Sequence, residues 1–210
     1  MFAYPQAGGR HRHTSHGFAV VDLETSGFDP AHSRIVEFAV VRIDVDGRPT
    51  GVLETLVDPG DADVGPTAVH GIHPAMLAGA PTFAEMAPTL LAWLEGVVVV
   101  AHHAPFEDGF LTAEFARAGM RVPLLPALDT LTMSQENLDL PNHKLQTVCS
   151  WAGVQIDGAH TALGDARATA AMLPHLLSRV GTAPQWDVPM PRLAGHVRGR
   201  YQPRGLISNH

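Results

Sequence analysis

A mixed α/β domain is predicted by three features of this 210-residue chain. Hydrophobic side chains make up 45% of it, enough for a sizeable core. Three β-branched or apolar runs near the start are separated by turn signals, the pattern of antiparallel strands. Beyond residue 80, short apolar runs alternate with helically spaced segments, which predicts helices on both faces of the sheet.

Each element has its own justification. Phe18 to Leu23 is an apolar run that ends in carboxylates, as a buried strand reaching the edge of a core would. Ile35 to Val45, broken by Glu37 and Arg42, runs into Asp46-Gly47, a hairpin signal, so Val52 to Val57 is the returning strand. Phe83, Met86, Ala87, Leu90, Leu91 and Leu94 recur at helical spacing, with Pro88 as the weak point. Val97 to Val100 is a central strand. Ala104 to Ala118, Lys144 to Ala152 and Leu163 to Leu177 read as helices, with Pro174 kinking or ending the last.

Composition divides the chain into three. Residues 1–16 contain Gly8, Gly9, Arg10 and Arg12 without apolar periodicity, and are expected to be a flexible arm. Residues 182–210 hold four Pro and four Arg against one acid, Asp187, and are expected to be a basic, irregular tail. Trp186, Arg198, Arg200, Tyr201 and Arg204 in that tail could hold single-stranded nucleic acid by stacking and phosphate contacts. The domain between, 17–181, carries 8 Lys and Arg against 20 Asp and Glu.

This charge excludes nucleic-acid binding by bulk positive potential, because phosphates need local cations. A metal-mediated approach to phosphate stays open. The single cysteine, Cys149, excludes a disulfide framework and a multi-cysteine zinc site, and its surroundings read as core. The run around Leu90 to Ala101 is interrupted by Glu95 and Gly96, too early to span a membrane. Arg10 to His16 follow a short mixed segment with no apolar h-region, so a reducing, cytoplasmic compartment is expected. No exposed apolar stripe argues for an oligomer, and the oligomeric state is left open.

Three clusters carry chemistry. Asp22-Leu23-Glu24 ends the first strand; residues two apart share a face, so Asp22 and Glu24 project together. Two adjacent acids repel unless a proton or cation intervenes, and hard oxygen ligands suit Mg²⁺ or Mn²⁺. A solvated strand end would show the same pattern. The second cluster, His102 to Leu111, follows the valine strand and opens a helix. There Glu107 and Asp108 lie between Phe106 and Phe110; simple interaction with the helix dipole is the plainer reading. In the third, Thr161 is a plausible N-cap that leaves His160 in a loop and Asp165 in the first turns. A loop histidine beside a fixed carboxylate suits a general base.

In this order the clusters resemble the DEDDh 3′–5′ exonucleases, the DnaQ-like family related to the proofreading epsilon subunit of bacterial DNA polymerase III. The likeness covers roughly residues 17–180 and includes Val69-His70-Gly71-Ile72, Asp129-Thr130-Leu131 and Pro141 to Leu145. It implies a ribonuclease H-like fold with a five-stranded mixed sheet. It implies two divalent cations, Mg²⁺ or Mn²⁺, held by Asp22, Glu24, Glu107 and Asp165, with His160 as the base. Leu23, Thr25, Ser26, His70, Ile72, His103 and Phe106 would meet the terminal nucleotide.

The implied activity is removal of nucleoside 5′-monophosphates from single-stranded or frayed 3′ ends, with DNA favoured in a proofreading or repair role. Alternatives are a weakened nucleic-acid-binding or polymerase-accessory module and an RNA-end-trimming exoribonuclease. A DNA polymerase is one partner such a chain could serve. A sliding clamp is another, since Gln135 to Leu140 looks like a clamp-binding peptide. Three residues depart from the family pattern: Glu107 where Asp is usual, His103 where Asn is usual, and His73 where Thr often follows. Glu107 is preferred over Asp108 as the acid, because the next helix position is rotated by ~100°.

Overall fold

The computed structural model describes residues 1–192. Its strands are β1 (Phe2–Ala3), β2 (Phe18–Thr25), β3 (Ile35–Ile43), β4 (Pro49–Leu56), β5 (Val98–Ala101) and β6 (Leu125–Asp129). Its α-helices are α1 (Thr67–His70), α2 (Phe83–Leu94), α3 (Ala104–Arg117), α4 (Thr130–Asn137), α5 (Leu145–Ala152) and α6 (Ala162–Leu177). The sheet order is β1-β6-β5-β2-β3-β4: β2, β3 and β4 are antiparallel, and β5, β6 and β1 join in parallel.

Two-residue alternation sorts each strand into two apolar layers. Ala19, Val21, Leu23, Phe38 and Val40 pack with α2 and α3. Phe18, Val20, Ala39, Val41 and Ile43 pack with α5 and α6 on the other side. Asp22 and Glu24 therefore continue the α6 face, while Leu23 enters the opposite layer. A register shift between Glu24 and Thr25 ends the regular pairing, and such bulges re-aim side chains where a strand leaves its sheet.

The helices form for local reasons. Thr82 accepts from the Glu85 N–H while Glu85 accepts from the Thr82 N–H, a reciprocal cap that starts α2. Both α2 and α6 run through their internal prolines, Pro88 and Pro174. Each is held by a buried apolar face: Phe83 to Leu94 in α2, and Met172, Leu173 and Leu176 around Pro174 in α6.

Three expectations change. The sheet has six strands because part of the arm joins it: Phe2 and Ala3 pair with Leu125 and Pro126. Residues 1–16 are thus not a free arm. Phe2 and His13 are buried, and His11 and Trp186 exchange backbone hydrogen bonds at 2.9 Å. Trp186 is fully buried, packs at a tilt against the His13 ring and donates its indole N–H to the Ala127 carbonyl. It is a core residue and offers no stacking face to nucleic acid. Burial of Phe2 and Trp186 contributes on the order of 2–3 kcal/mol each, which the polar, glycine-rich composition around them hides. The tail arginines at 198, 200 and 204 and Tyr201 lie outside the described residues. Among the described residues, no helix is long and apolar enough to cross a membrane.

Candidate active site

Five acids gather where β2 and β3 meet the starts of α3 and α6. Asp22 and Glu24 come from β2; Glu24 stands directly opposite Glu37 of β3, and Asp22 opposite the small Ala39. Asp165 lies in the first turn of α6, after Thr161, whose hydroxyl accepts from the Gly164 N–H. Glu107, on α3, is only 4% exposed. Asp108 turns away and accepts from the backbone N–H of Phe2 at 3.0 Å, so Glu107 is the acid that faces the cluster.

Electrostatics mark these groups as unhappily charged. Burial, then the nearby Glu107, Asp165, Glu24 and Glu37, holds the Asp22 carboxyl well above the usual carboxylate range. Burial with Glu37 and Asp165 pushes Glu24 up to about 7. Burial, with a smaller push from Asp129, takes Glu107 up to about 8. Asp165 is raised by burial, although the His160 N–H counteracts this.

Two buried oxygens, Glu107 Oε2 and Asp165 Oδ1, have no hydrogen-bond partner. Among the described residues no ion pair joins Asp22, Glu24, Glu37, Glu107 or Asp165 to a Lys, Arg or His. Crowded, unpaired hard oxygens fit divalent cations. As the side chains stand, no group of three or more His, Cys, Asp or Glu among the described residues forms a finished metal cage.

The two flanking histidines have a common backbone feature. His103 (φ 82°) and His160 (φ 63°) are the non-glycine residues at positive φ among those described. His160 is exposed, and its backbone N–H donates to Asp165 Oδ2 at 3.3 Å. Gly164 makes that loop possible: a Cβ there would lie 2.0 Å from the Gly158 carbonyl oxygen. His103 is exposed and stacks on Phe106 with ring centroids 6.4 Å apart.

The remaining substrate-side residues are placed unevenly. Leu23 and Thr25 are buried, and the Thr25 hydroxyl donates to the Gly27 carbonyl at 2.7 Å. Ser26 Oγ accepts from the Arg34 N–H, and Gly65 packs so closely on Ser26 that a Cβ would meet its carbonyl oxygen at 2.4 Å. His70 and Ile72 are not on the surface: Ile72 packs with Val36, Val64 and Leu77, and its N–H donates to His70 Nδ1. The expected clamp-binding peptide is engaged too, since Leu138 and Leu140 pack against the core.

Three residues were missed as site residues. Asp129 ends β6 and accepts from the N–H groups of His103, Ala104 and Leu131 and from the Thr132 hydroxyl, fixing the turn that starts α3. Its signal was an acid closing the apolar run Leu125 to Leu128. Glu37 signals itself as a carboxylate inside an apolar strand. Phe28 is 89% exposed just after Ser26 and Gly27; exposure of a single aromatic leaves no trace in sequence.

Comparison with known proteins points to one family. A family model described as exonuclease (RNase_T) matches residues 19–173. A DNA polymerase III subunit epsilon-like protein of Rhodobacter capsulatus is 40% identical over 167 residues, covering 76% of this chain and 23% of the relative. A PolC-type DNA polymerase III of Oceanobacillus iheyensis is 32% identical, covering 78% of this chain and 12% of the relative. The chain thus spans less than a quarter of either relative.

Among solved structures, E. coli exonuclease I in complex with a dT13 oligonucleotide aligns with a TM-score of 0.68 at 22% identity, covering 78% of this chain and 41% of that one. Exonuclease X in complex with 5′ overhanging duplex DNA aligns at 0.62 and 26% identity, covering 79% and 95%. The matched span runs from β2 through most of α6 and contains all five clustered acids and His160, and on that footing the chain belongs to the RNase_T exonuclease family, in its DnaQ-like group with the ribonuclease H-like fold.

Proposed function

We propose that this chain is a cation-dependent 3′–5′ exonuclease that releases nucleoside 5′-monophosphates from single-stranded or frayed DNA ends. The observation that carries the reading is the buried cluster of acids, two of whose oxygens lack partners. Asp22, Glu24, Asp165 and Glu107 would hold two divalent cations, Mg²⁺ or Mn²⁺. When bound, such ions neutralise the phosphate and stabilise the leaving 3′ oxygen.

The chain's own groups supply the rest. His160, on its exposed loop, takes the proton from the attacking water. The bond from its backbone to Asp165 keeps that loop beside the acids. Ser26 and Phe28, just after β2, and His103 and Phe106, at the start of α3, orient the terminal nucleotides, with Phe28 and the His103–Phe106 stack offering faces to bases. Leu23, Thr25, His70 and Ile72 act from beneath, by shaping these loops. Preference for DNA is supported by the relatives, which are named as DNA polymerase III proteins, and the same names support service to a polymerase.

The test uses 3′- and 5′-labelled single strands of DNA and RNA with Mg²⁺, Mn²⁺ or EDTA, beside Asp22→Ala. Cation-dependent loss of the 3′ label first, fastest on DNA and absent in the variant, is the expected result. Binding without turnover under either cation would overturn the proposal in favour of an accessory module.

A further inference from the structure

Glu37 joins two halves of the site that lie 125 residues apart. It interrupts an apolar strand, is 9% exposed, and stands opposite Glu24. Alternation along β3 puts it on the same face as Ala39 and Val41, the face covered by α6. There its Oε2 accepts from the Ala162 N–H at 2.9 Å. Ala162 is the first residue of α6, two after His160 and three before Asp165. Its N–H is one of the donors a helix start leaves without an internal partner, and a carboxylate is the acceptor the helix dipole favours.

The charge is not needed for that bond. A glutamine oxygen would also accept from Ala162, without placing like charges opposite each other on neighbouring strands, which costs stability. No Lys, Arg or His among the described residues forms an ion pair with Glu37. Its charge becomes favourable once positive charge arrives beside Glu24.

We propose that Glu37 is a positioning residue that ties the start of α6, and with it His160 and Asp165, to the strand beside Asp22 and Glu24, while its charge strengthens cation binding there. The proposal rests on the exonuclease reading above, and its test keeps the two separable.

Two variants divide the roles. Glu37→Gln keeps an acceptor for Ala162 and removes the charge; Glu37→Leu removes both. Each is compared with wild type by amide hydrogen exchange of the cation-free protein, by Mn²⁺ binding without nucleic acid, and by kcat and KM on a labelled oligonucleotide.

Glu37→Gln is expected to keep wild-type exchange at residues 162–165 but to bind Mn²⁺ several-fold more weakly. Glu37→Leu is expected to speed exchange at 162–165 at least about tenfold while Val98–Ala101 stays protected. Its kcat should fall roughly 10- to 100-fold, with KM changing by less than about twofold, as for a misplaced catalytic group.

Wild-type exchange and kcat in Glu37→Leu would overturn the positioning role, as would equal acceleration of exchange in β5. Wild-type Mn²⁺ affinity in Glu37→Gln would overturn the charge role. If wild type degrades no nucleic acid, the exonuclease reading fails, while exchange and Mn²⁺ binding still decide the tie.

Discussion

Glu107→Gln should stabilise the cation-free protein, and by an amount that grows with pH. Glu107 is buried on α3, and its carboxyl is pushed from the ordinary 4.5 up to about 8 by burial and, secondarily, by Asp129. Between those two values the folded protein keeps a proton that the unfolded chain has released. Wild-type stability is therefore greatest below about pH 4.5 and is lost as pH rises towards about 8.

At about 1.4 kcal/mol for each tenfold change in proton affinity, the ceiling of this loss is about 5 kcal/mol. Relaxation and water entry around a buried ion reduce it to about 2–3 kcal/mol. Glutamine has nearly the same shape and no charge to lose, and its amide leaves the same oxygen position unpartnered as the protonated acid does. For a chain of this size, at about 2–4 °C per kcal/mol, the variant should gain roughly 5–10 °C over wild type at pH 8.5.

The assay is thermal unfolding in EDTA at pH 5.5 and 8.5, followed by circular dichroism. At pH 5.5 the two proteins should melt close together. Saturating Mg²⁺ should then reverse the order at pH 8.5, because the wild type gains binding energy that the variant forfeits. An equal gain at both pH values, or no reversal with Mg²⁺, would refute the placement of Glu107 as a repelled acid awaiting a cation.

Other substitutions probe the remaining parts. Asp22→Ala should cut turnover on the order of 1000-fold without lowering the cation-free melting temperature, since it removes one member of a repelling group; steady-state kinetics beside a melting curve checks both. His160→Ala should lower kcat roughly 100- to 10,000-fold and leave KM nearly unchanged, measured on the labelled single strand. Gly164→Ala puts a Cβ 2.0 Å from the Gly158 oxygen; it should cost about 1–3 kcal/mol and lower kcat by moving the His160 loop, seen in urea unfolding and exchange at residues 157–161. Phe28→Ala should leave kcat intact and raise KM for single strands by the loss of about 1–3 kcal/mol of stacking, read from a titration with oligonucleotides of increasing length.

The sheet was readable because its strands are long, β-branched and punctuated by turn residues, as in Ile35 to Asp46-Gly47. β6 and α4 have weak sequence signatures, because Leu125 to Asp129 contains a proline and Thr130 to Asn137 lacks a strong apolar stripe; their neighbours define them. The ends of the chain misled because a two-residue strand and a lone tryptophan have no periodicity to detect. At the site, residue types and spacing singled out Asp22, Glu24, Glu107, Asp165 and His160, which the fold brings together. They could not show that His70 and Ile72 are covered, nor that Glu37 faces Glu24, since burial and cross-strand register arise only when distant segments meet.

The two strained histidines show how the acids serve the backbone as well as the chemistry. A positive φ costs a non-glycine residue on the order of 1–3 kcal/mol, and histidine is among the side chains that enter this region more readily. At each position an aspartate accepts from the strained residue's own N–H: Asp129 Oδ1 from His103 at 3.0 Å, and Asp165 Oδ2 from His160 at 3.3 Å. Charge-assisted bonds of this kind offset much of the strain. Asp165 is thereby divided between tasks, since Oδ2 holds the His160 loop while buried Oδ1 is left without a partner. Placement of His160 and the charge state of the acid cluster are consequently coupled through one side chain. Asp129, by contrast, has both oxygens engaged by hydrogen bonds and holds the scaffold at the start of α3, with no oxygen left free despite its closeness to Glu107.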